Sequence, residues 1–329
     1  MNHLVVLGSS SFSGNALIRT ALNRNFKVTA IGRRNLSQTP FGSRIGDSSS
    51  DLYEFHQLDL NIDLSRVVSL IQGNPHTCLV NFAAQSMVGQ SWETPEDWYQ
   101  TNVVSMAKLL SRIGNSAEIA RFVQFSTPEV YGSTNGWIKE NFNFAPNTPY
   151  AVSRAASDWH LKALHENFGF PVIFTRAANV YGEHQRLYRI VPRVILSALT
   201  GQKLPLQGGG KSIRSFIHID DVSEALLKIL ENGIPGESYH ISTNELVTIY
   251  QLVAIVAEKL DVQVEDLIEM APDRPGKDFA YKLDSQKIRS QLGWSDQITL
   301  SDGIDRTIKW VQDNLDELKH MPLNYEHRR

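Results

Sequence analysis

The sequence predicts an α/β protein, a doubly wound parallel sheet with a smaller C-terminal α/β lobe. Three observations predict it. Short apolar runs alternate with amphipathic stretches of helical period from the N-terminus to residue 176. The first run opens into a turn of small residues and then a helix, the order in which such sheets build a phosphate site. Finally, 329 residues, of which 42% are apolar and 20% charged, are enough for two domains and too apolar for disorder.

Leu4 to Leu7 is the first strand, and it ends at Gly8. Gly8-Ser9-Ser10-Ser11-Phe12-Ser13-Gly14 follows, then an amphipathic helix over Asn15 to Asn25. This is the context of a Rossmann-type dinucleotide site, with pyrophosphate on the helix N-terminus. A G-x-x-G-x-x-G spacing would place a glycine at 11, where Ser11 stands. The second strand is Phe26 to Ile31. An acid beyond it would bond the 2′-OH of NAD, and an arginine would accept the 2′-phosphate of NADP. Gly32-Arg33-Arg34 follows the strand, with no acid from Lys27 through Pro40. The expected cofactor is NADP, with NAD as the alternative.

Leu58-Asp59-Leu60 reads as the end of a third strand. Cys78 to Phe82 is a fourth, and Ala83-Ala84-Gln85-Ser86 after it lets the chain pass close to a cofactor. From Asn102, residues Val103, Met106, Ala107, Leu110 and Ile113 share a helical face. Arg121 to Ser126 is the fifth strand, a helix begins near Tyr150, and Pro171 to Arg176 is the sixth strand. Residues 1–175 are therefore assigned to an NADP-binding Rossmann domain, with a later return segment near 215–240. Residues 176–329 are assigned to the second lobe.

Composition excludes several classes. The net charge of −3 argues against a dedicated nucleic-acid binder. One cysteine, Cys78, excludes a disulfide framework and fits a reducing compartment. Its place in an apolar strand makes it inert packing. Ten histidines show no ligand spacing, since His160 and His165 diverge on a helix, so no metal site is expected. No apolar run approaches the ~18 residues of a membrane span, and the N-terminus lacks the basic start of a signal peptide. A cytoplasmic protein is expected.

Candidate chemistry follows the fifth strand. Ligands of open parallel sheets bind beyond the carboxyl ends of the strands, which points Thr127 and Glu129 of Ser126-Thr127-Pro128-Glu129-Val130-Tyr131-Gly132 at a substrate. In Pro149-Tyr150-Ala151-Val152-Ser153-Arg154, helical spacing sets Arg154 beside Tyr150. A phenol with a pKa near ~10 needs a nearby cation to act as a base at neutral pH.

These residues resemble the extended short-chain dehydrogenase/reductase family, and within it the nucleotide-sugar 4,6-dehydratases, over nearly the whole chain. Asn81-Phe82-Ala83-Ala84-Gln85-Ser86, with Ser91, Pro95 and the Arg33-Arg34 pair, is similar to the GDP-mannose branch. In that branch the arginine pair accompanies NADP and a loop that reaches a neighbouring subunit. Thr148 to Asp158 resembles the dTDP-glucose branch. So do Asn179 with Tyr181-Gly182, Arg214-Ser215-Phe216-Ile217-His218-Ile219-Asp220-Asp221, and Arg274-Pro275-Gly276-Lys277-Asp278.

The resemblance implies that Thr127 polarises the sugar 4-OH and Tyr150 takes its proton. Glu129 serves as base, then as acid, in loss of water across C5 and C6. Pro128 stands where the dTDP-glucose branch has an aspartate, and Arg154 stands where the family has a lysine. An always-protonated fork does not simply replace an ammonium. Cofactor contacts are implied for Gly8, Ser11, Phe12, Ser13, Gly14, Arg33, Arg34, Asp59, Leu60, Ala83, Ala84, Gln85, Tyr150 and Arg154. Substrate contacts are implied for Ser86, Thr127, Asn179, Arg189, Arg214 and Arg274.

The implied activity is an NAD(P)-dependent nucleotide-sugar 4,6-dehydratase that makes a 4-keto-6-deoxy sugar nucleotide, assembled as a homodimer or dimer of dimers. Alternatives on the same scaffold are a C4 epimerase, a C4 oxidase, or a UDP-glucuronate decarboxylase using Arg186 and Arg189. An alternative of another class is a catalytically weakened NADP-binding sensor or scaffold.

Overall fold

Seven parallel strands form the central sheet: β1 (His3–Leu7), β2 (Lys27–Gly32), β3 (Tyr53–Gln57), β4 (Thr77–Asn81), β5 (Ile119–Phe125), β6 (Val172–Ala177) and β7 (Ser238–Ile241). Their order is β3-β2-β1-β4-β5-β6-β7. This is the Rossmann-type doubly wound sheet, and its winding reverses between β1 and β4. The computed structural model describes residues 3–35, 39–42, 51–74, 76–114, 119–134, 136–272 and 280–327.

Alternation along β1 shows why its residues are apolar throughout. Leu4 and Val6 face one layer, which holds α1 (Phe12–Asn23) through Leu17, Ile18 and Ala21. Val5 and Leu7 face the other, with Val67 and Ile71 of α2 (Leu64–Gln72). A strand covered on both faces has no polar side. Cys78 of β4 is buried among these residues, and burial pushes its thiol pKa up, which keeps it protonated.

Two of the boundaries that differ from the sequence expectation bear on the site. The third strand ends at Gln57, so Asp59 and Leu60 lie in the loop beyond it, where ligands bind. The helix expected from Asn102 begins at Pro95. Pro95–Tyr99, Gln100–Ser105 and Met106–Ile113 run on as one helix, α3, whose middle turn widens to π geometry. Hydrophobic period does not reveal one wide turn, and such turns concentrate at functional sites. The next helix, α4 (Pro149–Phe168), is capped by the Thr148 hydroxyl, which accepts from Ala151 N–H at 3.2 Å. Tyr99 and Val104 of α3 and Val152 and Trp159 of α4 are exposed.

The second lobe packs α5 (Ile190–Thr200), α7 (Ile249–Lys259) and α8 (Leu300–Asp313) around Val194, Ile195, Leu252, Val256, Ile304 and Val311. Short strand pairs edge it, among them Leu204–Gln207 with Ile268–Ala271. Between these segments the chain returns to the main sheet, where α6 (Ile219–Asn232) packs beside α1 and leads into β7. Phe41, from the loop after β2, is buried in the lobe core 6.3 Å from the Trp310 ring. The described residues of that loop, Thr39 to Gly42, dock on the second lobe, where His184 Nδ1 donates to the Pro40 carbonyl at 2.6 Å. Among the described residues no helix is long and apolar enough to cross a membrane.

Within the lobe, Gly303 of α8 packs against Tyr181. A methyl group there would lie 2.7 Å from Cζ of Tyr181, which is fully buried. Gly303→Ala should therefore lower stability by about 1–3 kcal/mol in urea unfolding, despite alanine's better helix propensity. A loss below ~0.5 kcal/mol would show that Tyr181 yields without cost.

Candidate active site

A cavity of about 990 Å³ runs over the carboxyl ends of the strands and under the second lobe. This is the upper end of the range for ligand clefts and suits more than one small ligand. Leu7, Ile31, Leu58, Phe82, Phe125 and Ala177 line its sheet side.

The turn after β1 closes tightly on the sheet. Gly8 has φ +76°, and a Cβ there would meet the Ala83 nitrogen at 2.6 Å. Gly8 and Ser9 N–H donate to the Ile31 carbonyl at 2.9 and 3.0 Å, which ties the turn to β2. Ser11 caps α1, its hydroxyl accepting from Gly14 N–H at 3.0 Å. The serine at the missing-glycine position is thus an N-cap, and Phe12 and Ser13 carry the first-turn N–H groups that a helix cannot satisfy itself. Gly8, Ser11, Phe12 and Ser13 line the cavity. Gly14 does not; a Cβ there would strike the Gly8 carbonyl at 2.6 Å, so its smallness serves the turn. This cradle of close backbone and helix N-terminus fits a dinucleotide pyrophosphate.

Arg33, Arg34, Asp59 and Leu60 line the far end of the same side, with Arg33 Nη1 and Asp59 Oδ2 3.8 Å apart. A side chain at Gly32 would have to turn two hydroxyls aside. A Cβ would lie 2.6 Å from the Ser9 hydroxyl and closer still to that of Ser10. Ala83, Ala84, Gln85 and Ser86 form the next stretch of wall. The buried Asn102 fixes it, its Oδ1 accepting from Gln85 N–H at 2.8 Å and its Nδ2 donating to the Gln85 carbonyl at 3.0 Å. Nδ2 also donates to Ser153 Oγ at 2.9 Å, and that hydroxyl donates to the Tyr150 carbonyl at 2.7 Å. The widened turn of α3 thereby ties the cofactor-side loop to the helix that carries Tyr150.

Thr127, Glu129 and Tyr150 meet on one wall. Thr127 caps the 3₁₀ turn Pro128–Tyr131, where its hydroxyl accepts from Glu129 N–H at 3.3 Å. Burial pushes the Tyr150 pKa above the ordinary tyrosine range. Arg154 and the nearby Thr127 hydroxyl pull it back, while the Glu129 charge raises it further.

Arg154 is buried behind Tyr150, outside the cavity lining, and its Nη2 donates to the Phe125 carbonyl. Helical spacing does set it beside Tyr150, but the fork is drawn to the carbonyl at the end of β5. Its effect on Tyr150 is one of charge.

Beneath this wall Arg176 and Asp158 are fully buried, with Nη2 and Oδ2 2.8 Å apart. Asp158 Oδ2 also accepts from the Ser126 hydroxyl at 2.7 Å. The Tyr131, Phe142 and Phe144 rings surround the guanidinium at 5.3, 5.3 and 5.0 Å. Tyr131 shares a 2.8 Å hydrogen bond with His240, whose pKa burial pushes down to about 3, so that ring is neutral at physiological pH.

Across the cavity stand Asn179, Arg189 and Arg214. The Arg214 guanidinium lies 4.7 Å over the Tyr281 ring, and the Tyr281 hydroxyl donates to Asn179 Oδ1 at 2.5 Å. Arg274 lies outside the described residues. Sequence reading missed Tyr281, Phe41, Tyr188, Arg193 and the C-terminal segment, all of which line the cavity. Only the last left a signal, the alternation Met321-x-Leu323-x-Tyr325-x-His327. Among the described residues no group of His, Cys, Asp or Glu side chains could hold a metal ion.

Comparison with known proteins agrees with this geometry. A dTDP-glucose 4,6-dehydratase of Xanthomonas campestris is 31% identical over 94% of this chain and 93% of its own length. One from Haemophilus influenzae is 31% identical over 94% and 98%. A crystal structure of the dTDP-glucose 4,6-dehydratase of Streptomyces venezuelae, with NAD and TYD bound, is 31% identical. It superposes with a TM-score of 0.87 over 95% of this chain and 98% of that one. A UDP-glucuronic acid 4-epimerase from Bacillus cereus, 24% identical with a TM-score of 0.84, shares the fold. The sequence pattern of the family described as GDP-mannose 4,6 dehydratase matches residues 5–307, and the chain belongs to that family of extended short-chain dehydrogenase/reductases.

Proposed function

We propose that the protein is an NADP-dependent nucleotide-sugar 4,6-dehydratase acting on a nucleoside-diphosphate hexose. The observation that carries this is the meeting of Thr127, Glu129 and Tyr150 on one wall, with Arg189 and Arg214 opposite. Arginine forks suit a diphosphate, and the acid–base trio suits a sugar 4-OH and its neighbouring carbons. The nicotinamide, when bound, supplies hydride acceptance and return.

Tyr150 takes the 4-OH proton, with Thr127 holding the same oxygen. Once C4 is a ketone, the C5 proton is acidic. Glu129 removes it, and the proton so gained leaves with the C6 hydroxyl as water. Pro128 has no proton to give, so one carboxyl group serves both halves of the elimination.

Incubation with GDP-mannose, dTDP-glucose and UDP-GlcNAc should give, with one of them, a 4-keto product lighter by one water. Glu129→Gln should slow water loss by roughly 10²–10⁴-fold while C4 oxidation persists. Redox turnover without water loss on every donor would overturn the assignment.

The raised Tyr150 pKa has a sign that can be checked. The base form is the phenolate, so it is scarce at neutral pH and grows tenfold per pH unit. The rate of C4 oxidation should rise with pH between about 7 and 9, with a logarithmic slope near one. A flat profile over that range would remove Tyr150 as the base.

Support for NADP comes from the end of β2. No acid stands at the end of β2, where one would bond a ribose 2′-OH, and Arg33 and Arg34 line the cavity beside Gly32. Relatives of known structure bind NAD, as in the Streptomyces venezuelae enzyme. Calorimetry should show NADP bound at least about tenfold tighter than NAD, with Arg33→Ala erasing the difference. Tighter binding of NAD by the unmodified protein would assign NAD instead.

A further inference from the structure

The C-terminal segment crosses the cavity as an extended strap. Met321, Leu323, Tyr325 and His327 are partly buried, whereas Pro322, Asn324 and Glu326 are exposed, the two-residue period of an extended chain lying on a surface. Met321 and Leu323 pack against the second lobe's core, and Arg193 of α5 donates to the Leu323 carbonyl at 3.1 Å. Further on, the chain reaches the other domain. The Tyr325 hydroxyl donates to Gln85 Oε1 at 3.3 Å, and its ring meets Tyr188 edge-on at 5.4 Å. The charges of Arg33, Arg34 and Arg189 bear on its phenol. His327 Nε2 lies 2.8 Å from Asp97 Oδ2, and its ring stacks on the buried Trp98 at 4.9 Å. The strap is thus rooted in one domain and latched to the other, with Met321, Pro322, Asn324, Tyr325 and Glu326 in the cavity wall.

We propose that residues 321–327 form a clasp that retains the dinucleotide between turnovers, with Tyr325 and the His327–Asp97 pair as its two latches. This rests on the proposed reading of the cavity as a dinucleotide and nucleotide-sugar site. The latches lie on the cofactor side, at Gln85 and at the start of α3, and the phenol faces the arginine pair that ends β2. The chemistry suits retention. In a dehydration that removes a hydride and gives it back, the dinucleotide ends each cycle as it began. It never has to leave, so a closed strap does not slow turnover.

Release is read from the fluorescence of bound NADPH, and in parallel of NADH, after mixing with excess oxidised cofactor. No sugar substrate is needed. Tyr325→Ala, His327→Ala and a chain ending at Leu323, which keeps both lobe contacts, should each speed release, by roughly three- to tenfold per latch lost. Tyr325→Phe keeps the ring against Tyr188 and should show a smaller increase. Asp97→Asn combined with His327→Ala should add little to His327→Ala alone, since the two side chains form one latch. Should the truncated chain fail to fold, the point variants give the answer. Release rates within twofold of the unmodified protein would overturn the clasp, as would a raised KM for the sugar nucleotide with unchanged release. If the unmodified protein holds neither NADPH nor NADH, the cofactor reading itself falls and the clasp with it.

Discussion

The buried pair of Arg176 and Asp158 sets the geometry on which the site depends. It joins β6 to α4, and through the Ser126 hydroxyl it also holds the end of β5. Thr127 and Glu129 leave from that strand end, and Tyr150 sits two turns before Asp158 on the same helix. The pair therefore ties Tyr150 to the strand end that carries Thr127 and Glu129. Removing one member of such a pair strands the other charge and typically costs about 3–5 kcal/mol. Three aromatic rings face the guanidinium and compensate part of its lost hydration. A charged pair demands one relative placement of its two elements, whereas an apolar contact would tolerate sliding.

Around this pin the other constraints are local. The Gly8 turn lies so close to β4 that no side chain fits, and the widened turn of α3 lets Asn102 hold both Gln85 and Ser153. Each places backbone against the cavity without spending a side chain inside it. The interior is left for the residues that meet ligands.

Much of this is legible in the sequence because it depends on neighbours along the chain. Apolar strands covered on both faces, the small-residue turn before α1, and the place of Thr127 and Glu129 beyond the fifth strand follow from period and order, whereas Tyr150 is singled out by resemblance to the family. What the sequence hides depends on where side chains go. Arg154 has the right spacing to flank Tyr150, yet its fork turns to the Phe125 carbonyl, a choice set by a strand 29 residues away. Phe41 carries no mark that it will enter the other domain's core. The C-terminal strap does alternate, but alternation alone does not say which surface it covers.

Gly32 carries a consequence for how this chain could change its cofactor. In related sheets the end of the second strand is where the two dinucleotides are told apart. Here a side chain at that place would meet the Ser9 and Ser10 hydroxyls of the phosphate turn. A substitution at Gly32 would therefore have to turn both hydroxyls aside, so two stretches distant in sequence are coupled in space.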